Sequence, residues 1–278
     1  MRALAIAALA LLACNQLLGG SEVRLGDGGT SDAPNDGRGI DGRPVDAPAG
    51  CVPGGRQCNN CIDDDADGAI DSADTECTSP DDNDEGSFAT GIPGDNTDPV
   101  NQDCFFDGNS GNADDGCQVH VCCILGATAP SECPISGAGY NPTNCPPPIG
   151  TKALPPTCIG GCGARAPVGC DCWGCCSVID RVTNTPIDIL LHPLTSPGCN
   201  ATTVGDPSKC TRCTKNLNCG HPSCGGTCVL CPGQTVNDLP ASCGNMPQCP
   251  TGVAVCTADT DCPAGDYCDQ SSRCCIGR

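Results

Sequence analysis

The chain has 278 residues, of which 31 are cysteine, 37 glycine and 26 proline, and only six are aromatic. Leucine, isoleucine, valine and phenylalanine together fall below the ~20% under which an ordinary apolar core stops being plausible, while cysteine exceeds the roughly 8–10% that marks a disulfide scaffold. A net charge of −20, from 33 acidic and 13 basic residues, excludes a phosphate-binding surface, and the scarcity of aromatics excludes a stacking platform for nucleic acid.

Met1-Arg2 and the apolar run Ala3 to Ala13 match the charged start and apolar stretch of a secretory signal, and the run falls short of the ~20 residues a bilayer-spanning helix needs. It ends in Leu11-Leu12-Ala13-Cys14, which resembles the lipobox of bacterial lipoproteins. That resemblance implies that Cys14 is acylated and becomes the new N-terminus, so that the protein is exported and reaches the membrane through a lipid, in the periplasm or at the cell surface. Setting Cys14 aside leaves 30 cysteines, an even number, as a fully paired extracellular framework requires. Residues 15–50, a Gly/Asp/Pro mixture in which Asp-Ala-Pro recurs at 32–34 and 46–48, read as a disordered tether.

Acidity is concentrated between residues 15 and 115. Its sharpest feature lies between Cys61 and Cys77. Counting Asp63 as position 1 of a twelve-residue loop puts Asp65 at 3, Asp67 at 5, Gly68 at 6, the Ala69 carbonyl at 7, Asp71 at 9 and Asp74 at 12. Ca2+ takes six to eight hard oxygen ligands, carboxylates at alternate positions can converge on one centre, and glycine at position 6 permits the sharp turn. The expected ligands are therefore Asp63, Asp65, Asp67, Ala69, Asp71 and Asp74. Two features depart from a helix-loop-helix site: aspartate replaces glutamate at position 12, and cysteines rather than helices bracket the loop.

Cys58-Asn59-Asn60-Cys61-Ile62-Asp63-Asp64-Asp65-Ala66-Asp67-Gly68 resembles the Asn-x-x-Asp-Asp-Asp-x-Asp-Gly metal-binding motif of bacterial surface proteins. Ser87-Phe88-Ala89-Thr90-Gly91-Ile92-Pro93-Gly94-Asp95-Asn96 and Gln102-Asp103-Cys104-Phe105-Phe106-Asp107-Gly108-Asn109-Ser110-Gly111 are similar to cysteine-rich lipoproteins of myxobacteria. The resemblance implies an envelope lipoprotein and adds no mechanism. Asp107 to Asp115 could hold a second cation, although its spacing fits no ligand template and a solvated turn is the better reading.

Further along, Val119-His120-Val121 reads as a strand. Cys176–Val182 and Pro186–Leu191, separated by Thr183-Asn184-Thr185, read as a hairpin. Cys172-Trp173-Gly174-Cys175 has a redox outline, and Cys210-x-x-Cys213 with Cys228-x-x-Cys231 around His221 has zinc-ribbon spacing, but export favours disulfides in both places. The doublets Cys122-Cys123, Cys175-Cys176 and Cys274-Cys275 should each send their sulfurs to different partners. The stretch from Cys256 to Cys275 is similar to cysteine-rich modules of the Dickkopf N-terminal type, which implies a separate small bridge-held unit.

These readings give a small disulfide-rich fold of mostly irregular loops and short β-hairpins, with little or no helix outside the signal peptide. The expected segments are 1–14 (signal), 15–50 (tether), 51–78 (calcium-loop module), 79–250 (cysteine-rich body) and 251–278 (C-terminal module). The expected function is a non-enzymatic, lipid-anchored envelope protein for binding, adhesion or envelope structure, with a protein or polysaccharide partner. The alternatives are thiolate handling of zinc or copper and, more remotely, an enzyme with a site that motifs do not reveal.

Overall fold

The computed structural model describes residues 51–92, 98–108, 116–135, 139–192, 194–221, 224, 228, 230–234, 238–243, 249, 253–256, 259–264, 266–269 and 274–277. Cys14, the signal segment and the 15–50 tether lie outside the described residues, as do residues 109–115 of the second acidic stretch. The chain divides at Val45, with Asp46–Arg278 forming one unit.

Regular structure is sparse, as 37 glycines and 26 prolines dictate. Six short strands pair as three antiparallel hairpins: β1 (Asn101–Gln102) with β2 (Val119–His120), β3 (Cys175–Asp180) with β4 (Thr185–Leu190), and β5 (Asp266–Asp269) with β6 (Cys274–Gly277). Two short α-helices are present among the described residues, α1 (Val121–Ile124) and α2 (Pro156–Gly161), beside single 3-10 turns such as Gln57–Asn59 and Asp71–Ala73. Helix α1 departs from the sequence expectation, because Val121 leaves the strand to begin a helical turn. The cause is local: His120 Nδ1 accepts the Cys122 N–H at 3.2 Å and so caps that turn. Helix α2 starts at Pro156, where a missing N–H costs nothing, and it turns Cys158 inward.

Every cysteine from Cys51 to Cys275 is paired, giving 15 bridges. Their connectivity falls into three blocks. Cys51–Cys61 and Cys58–Cys77 close the acidic loop region. Ten bridges knit residues 104–243, and Cys249–Cys274, Cys256–Cys268 and Cys262–Cys275 close the C-terminal stretch. Each doublet sends its sulfurs apart: Cys122 to Cys133 and Cys123 to Cys145, Cys175 to Cys213 and Cys176 to Cys170, Cys274 to Cys249 and Cys275 to Cys262.

Half-cystines take the place of aliphatic residues in the core. Trp173, 1% exposed, packs among Cys104, Cys117, Cys158, Cys162 and Cys172, and its indole N–H donates to the Cys117 carbonyl at 2.6 Å. A second cluster gathers Phe88, Phe105, Val178, Ile189 and Leu191 around Cys170, Cys176, Cys199 and Cys210. The β3–β4 hairpin lies between them, with Cys175 opposite Leu190 and Val178 opposite Ile187. Asn184, at φ 51°, supplies the left-handed residue that its turn needs.

The acidic segment is fastened to this body. Phe88 is fully buried, and its N–H donates to the Cys199 carbonyl at 2.7 Å. Ala201 N–H donates to Glu76 Oε1 at 2.8 Å, and Gly233 N–H to the Thr75 carbonyl at 3.2 Å.

Candidate metal centre

Between the bracketing bridges the chain curls on itself by donating its own N–H groups to its own carboxylates. Gly68 N–H donates to Asp63 Oδ2 at 3.1 Å, Asp67 N–H to Asp65 Oδ1 at 3.0 Å, and Ala69 N–H to Asp67 Oδ1 at 2.8 Å. Gly68 sits at φ 99°, a conformation that a side chain would strain, so glycine at position 6 has a backbone reason in this chain. Each of these three carboxylates uses one oxygen for the turn. Asp63 Oδ1 is buried without a hydrogen-bond partner.

Asp74 closes the other side. It is 4% exposed, its Oδ1 accepts the Glu76 N–H at 2.8 Å, and its Oδ2 is buried with no hydrogen-bond partner. Its carboxyl is held far above the usual carboxylate range, first by burial and then by lying against the carboxylate of Glu76, with Asp67 adding to the effect. Asp65 is raised too, through desolvation and then the charges of Asp67, Asp63 and Glu76. Asp63, Asp65, Asp67, Asp74 and Glu76 thus act on one another electrostatically, and a carboxylate oxygen of Asp74 also lies within 4.8 Å of one of Glu85. The ion pairs among the described residues join Arg181 to Asp238 and Lys215 to Asp188, so no cationic side chain there neutralises the cluster.

Asp71 does different work. It is 2% exposed, its Oδ1 accepts the Asn60 N–H at 2.8 Å, and its Oδ2 accepts the Cys61 N–H at 3.0 Å. Its charged neighbours are Asp64 and Glu85. A φ of 50° at Asp71 swings this carboxylate under the Cys58–Cys61 turn, which differs from the loop-facing position that its place in the sequence suggests. Glu85, fully buried, is the residue that spacing could not reveal. Its Oε2 accepts the Asp64 N–H and its Oε1 the Asp71 N–H, both at 2.6 Å, so it staples the two arms of the loop together. Asp74 also lines a cavity of about 30 Å³ with Thr75, Thr78, Pro232 and Gly233, room for about two water molecules.

The donor set fits a hard divalent cation. It is all oxygen, it gathers several carboxyl groups, and Asp63 Oδ1 is buried without a hydrogen-bond partner. The other cysteine constellations are tied up in bridges. Cys172 pairs with Cys219 and Cys175 with Cys213, so the Cys172-x-x-Cys175 outline is not a dithiol pair. Cys210, Cys213, Cys228 and Cys231 go to Cys199, Cys175, Cys243 and Cys224, which disperses the zinc-ribbon spacing.

Sequence reasoning also passed over a buried polar link in the body. Lys215 Nζ donates to Ser177 Oγ, which in turn donates to Asp188 Oδ1 at 2.5 Å. Lys215 is also ion-paired with Asp188 at 3.6 Å, and the Ser177 N–H is committed to the Gly169 carbonyl. The ammonium therefore serves as a charged strut across the hairpin and not as a free base. No family model, curated protein or solved structure matches the chain.

Proposed function

We propose that this chain is a non-enzymatic, lipid-anchored envelope protein whose disulfide-stapled body is displayed on a tether and whose aspartate loop binds Ca2+. Such a body serves binding, adhesion or envelope structure. The observation that carries the reading is the curl of residues 63–69, in which Asp63, Asp65 and Asp67 each accept a loop N–H while Asp63 Oδ1 stays buried without a hydrogen-bond partner. An ion there would relieve the mutual repulsion of carboxylates that no lysine or arginine among the described residues offsets. The pairing of all cysteines from Cys51 onward favours this reading over a thiolate metal store.

Calorimetric titration of Ca2+ into the mature oxidised chain tests it. One saturable site is expected, in the range of about 10⁻⁴ to 10⁻³ M typical of extracellular modules. It should be lost when Asp63 and Asp67 are both replaced by alanine, and no heat at millimolar Ca2+ would defeat the proposal.

A further inference from the structure

We propose that the Cys117–Cys158 and Cys172–Cys219 bridges form one exchange centre, a redox-sensitive device in which opening either bridge produces the same new one, Cys158–Cys219. The inference lies in the cysteine-rich body and does not depend on the calcium loop.

The four sulfurs of these two bridges all lie within 4.8 Å of one another, and none of the four cysteines is more than 1% exposed. Cys158 Sγ stands 3.7 Å from Cys219 Sγ, so sulfurs of different bridges are in van der Waals contact. Neighbouring interactions hold this arrangement when one bridge opens. The Cys172 N–H donates to the Cys219 carbonyl at 3.1 Å, the Trp173 indole N–H holds the Cys117 carbonyl at 2.6 Å, and Cys162, at the end of α2, is bridged to Cys104. Chain entropy does not oppose the new pairing either. Its loop spans 61 residues against 41 and 47 in the present bridges, and the cost of closing a loop grows only slowly with length.

The chemistry needs one external dithiol. It gives two electrons and two protons to Cys117–Cys158 and is itself oxidised to a disulfide. The Cys158 thiol loses its proton to water, and the thiolate attacks Cys219 Sγ. A bond forms between Cys158 Sγ and Cys219 Sγ, the Cys172–Cys219 bond breaks, and Cys172 leaves as a thiolate that takes up a proton. No further electrons move. Entry through Cys172–Cys219 converges on the same product, because the Cys219 thiolate attacks Cys158 Sγ and expels Cys117. Both routes leave thiols at Cys117 and Cys172. Helix α2 is the point of entry, since Cys158 is its one buried residue and so short a helix opens locally without unfolding the body. Exchange detaches α2 from the segment that leads into β2 and fastens it to the turn in which the Cys219 N–H donates to the Asn216 carbonyl.

Cys172→Ser and Cys117→Ser variants of the full mature chain test this with no reductant added. Each leaves one thiol beside an intact bridge, Cys219 in the first and Cys158 in the second. The variants are held at about pH 8.5, where an ordinary thiol is half ionised, then quenched in acid, alkylated and mapped by peptide mass spectrometry. Most of the label is expected at Cys117 in Cys172→Ser and at Cys172 in Cys117→Ser, with a Cys158–Cys219 linked peptide in both. Wild type decides the matter where a variant does not fold: dithiothreitol is raised until the centre is labelled, and molecules carrying two labels there should carry them at Cys117 and Cys172. Label that stays on Cys219 and Cys158 in the variants, or wild-type label on Cys117 with Cys158 or on Cys172 with Cys219, would overturn the proposal.

Discussion

Replacing Glu85 with glutamine isolates the staple that shapes the loop. In the wild type both oxygens accept backbone N–H groups at 2.6 Å, from Asp64 on one arm and Asp71 on the other. Glutamine retains one acceptor and turns an NH2 toward the second N–H, so one charge-assisted hydrogen bond, worth about 1.5–3 kcal/mol, is lost inside a fully buried site. The loss is local, since the body's ten bridges do not involve this residue. At 1.4 kcal/mol per tenfold, exchange protection of the Asp71 amide should fall by about 10- to 100-fold, while the global denaturation midpoint moves little. The experiment belongs at pH 8, because burial pushes the Glu85 carboxyl up to about 7 against the pull of its two N–H donors. Saturating Ca2+ should restore part of the protection. Protection at Asp71 within about threefold of wild type would show that Glu85 does not hold the loop, and that the bridges alone set its shape.

Three further outcomes follow from the same structure. Burial raises Asp171 to about 6 despite its three backbone donors and Lys215, so the folded state binds its proton more tightly than the unfolded chain does. Its contribution is therefore most favourable below its ordinary 3.8 and is lost as pH climbs through 6, on the order of 2–3 kcal/mol, and denaturant titrations of Asp171→Asn should show a weaker fall in stability from pH 4.5 to 7. Full reduction should unfold residues 104–278, because each bridge contributes ~2–4 kcal/mol and the core is built from half-cystines; a red shift of Trp173, the sole tryptophan, reports it. Cys14→Ser should release soluble protein or leave unprocessed precursor, as fractionation of envelopes would show.

Much of the architecture is written in composition. Cysteine, glycine and proline content announces bridges and loops, and the β3–β4 hairpin follows from two apolar runs flanking Thr183-Asn184-Thr185. The C-terminal hairpin β5–β6 was hidden because its strands, Asp266–Asp269 and Cys274–Gly277, carry little apolar alternation and depend on bridges from Cys268, Cys274 and Cys275. Disulfide pairing was equally hidden, since it depends on which sulfurs the fold brings within about 2 Å and not on spacing. At the candidate site, Asp63, Asp65 and Asp67 curl as their alternation suggests, because each is close enough to bond an N–H a few residues ahead. Asp71 departs because the unsatisfied N–H groups of Asn60 and Cys61 compete for it. Glu76 and Glu85 come from outside the loop, where no local pattern signals them.

The central claim is that the loop of residues 63–74 binds a calcium ion, and a crystal structure of the mature oxidised chain grown with Ca2+ tests it most directly. The account predicts one anomalous peak with carboxylate oxygens of Asp63, Asp65, Asp67 and Asp74 at about 2.3–2.6 Å from it. A loop with no peak at millimolar Ca2+, or an ion bound elsewhere while Asp74 Oδ2 keeps no ligand, would contradict it.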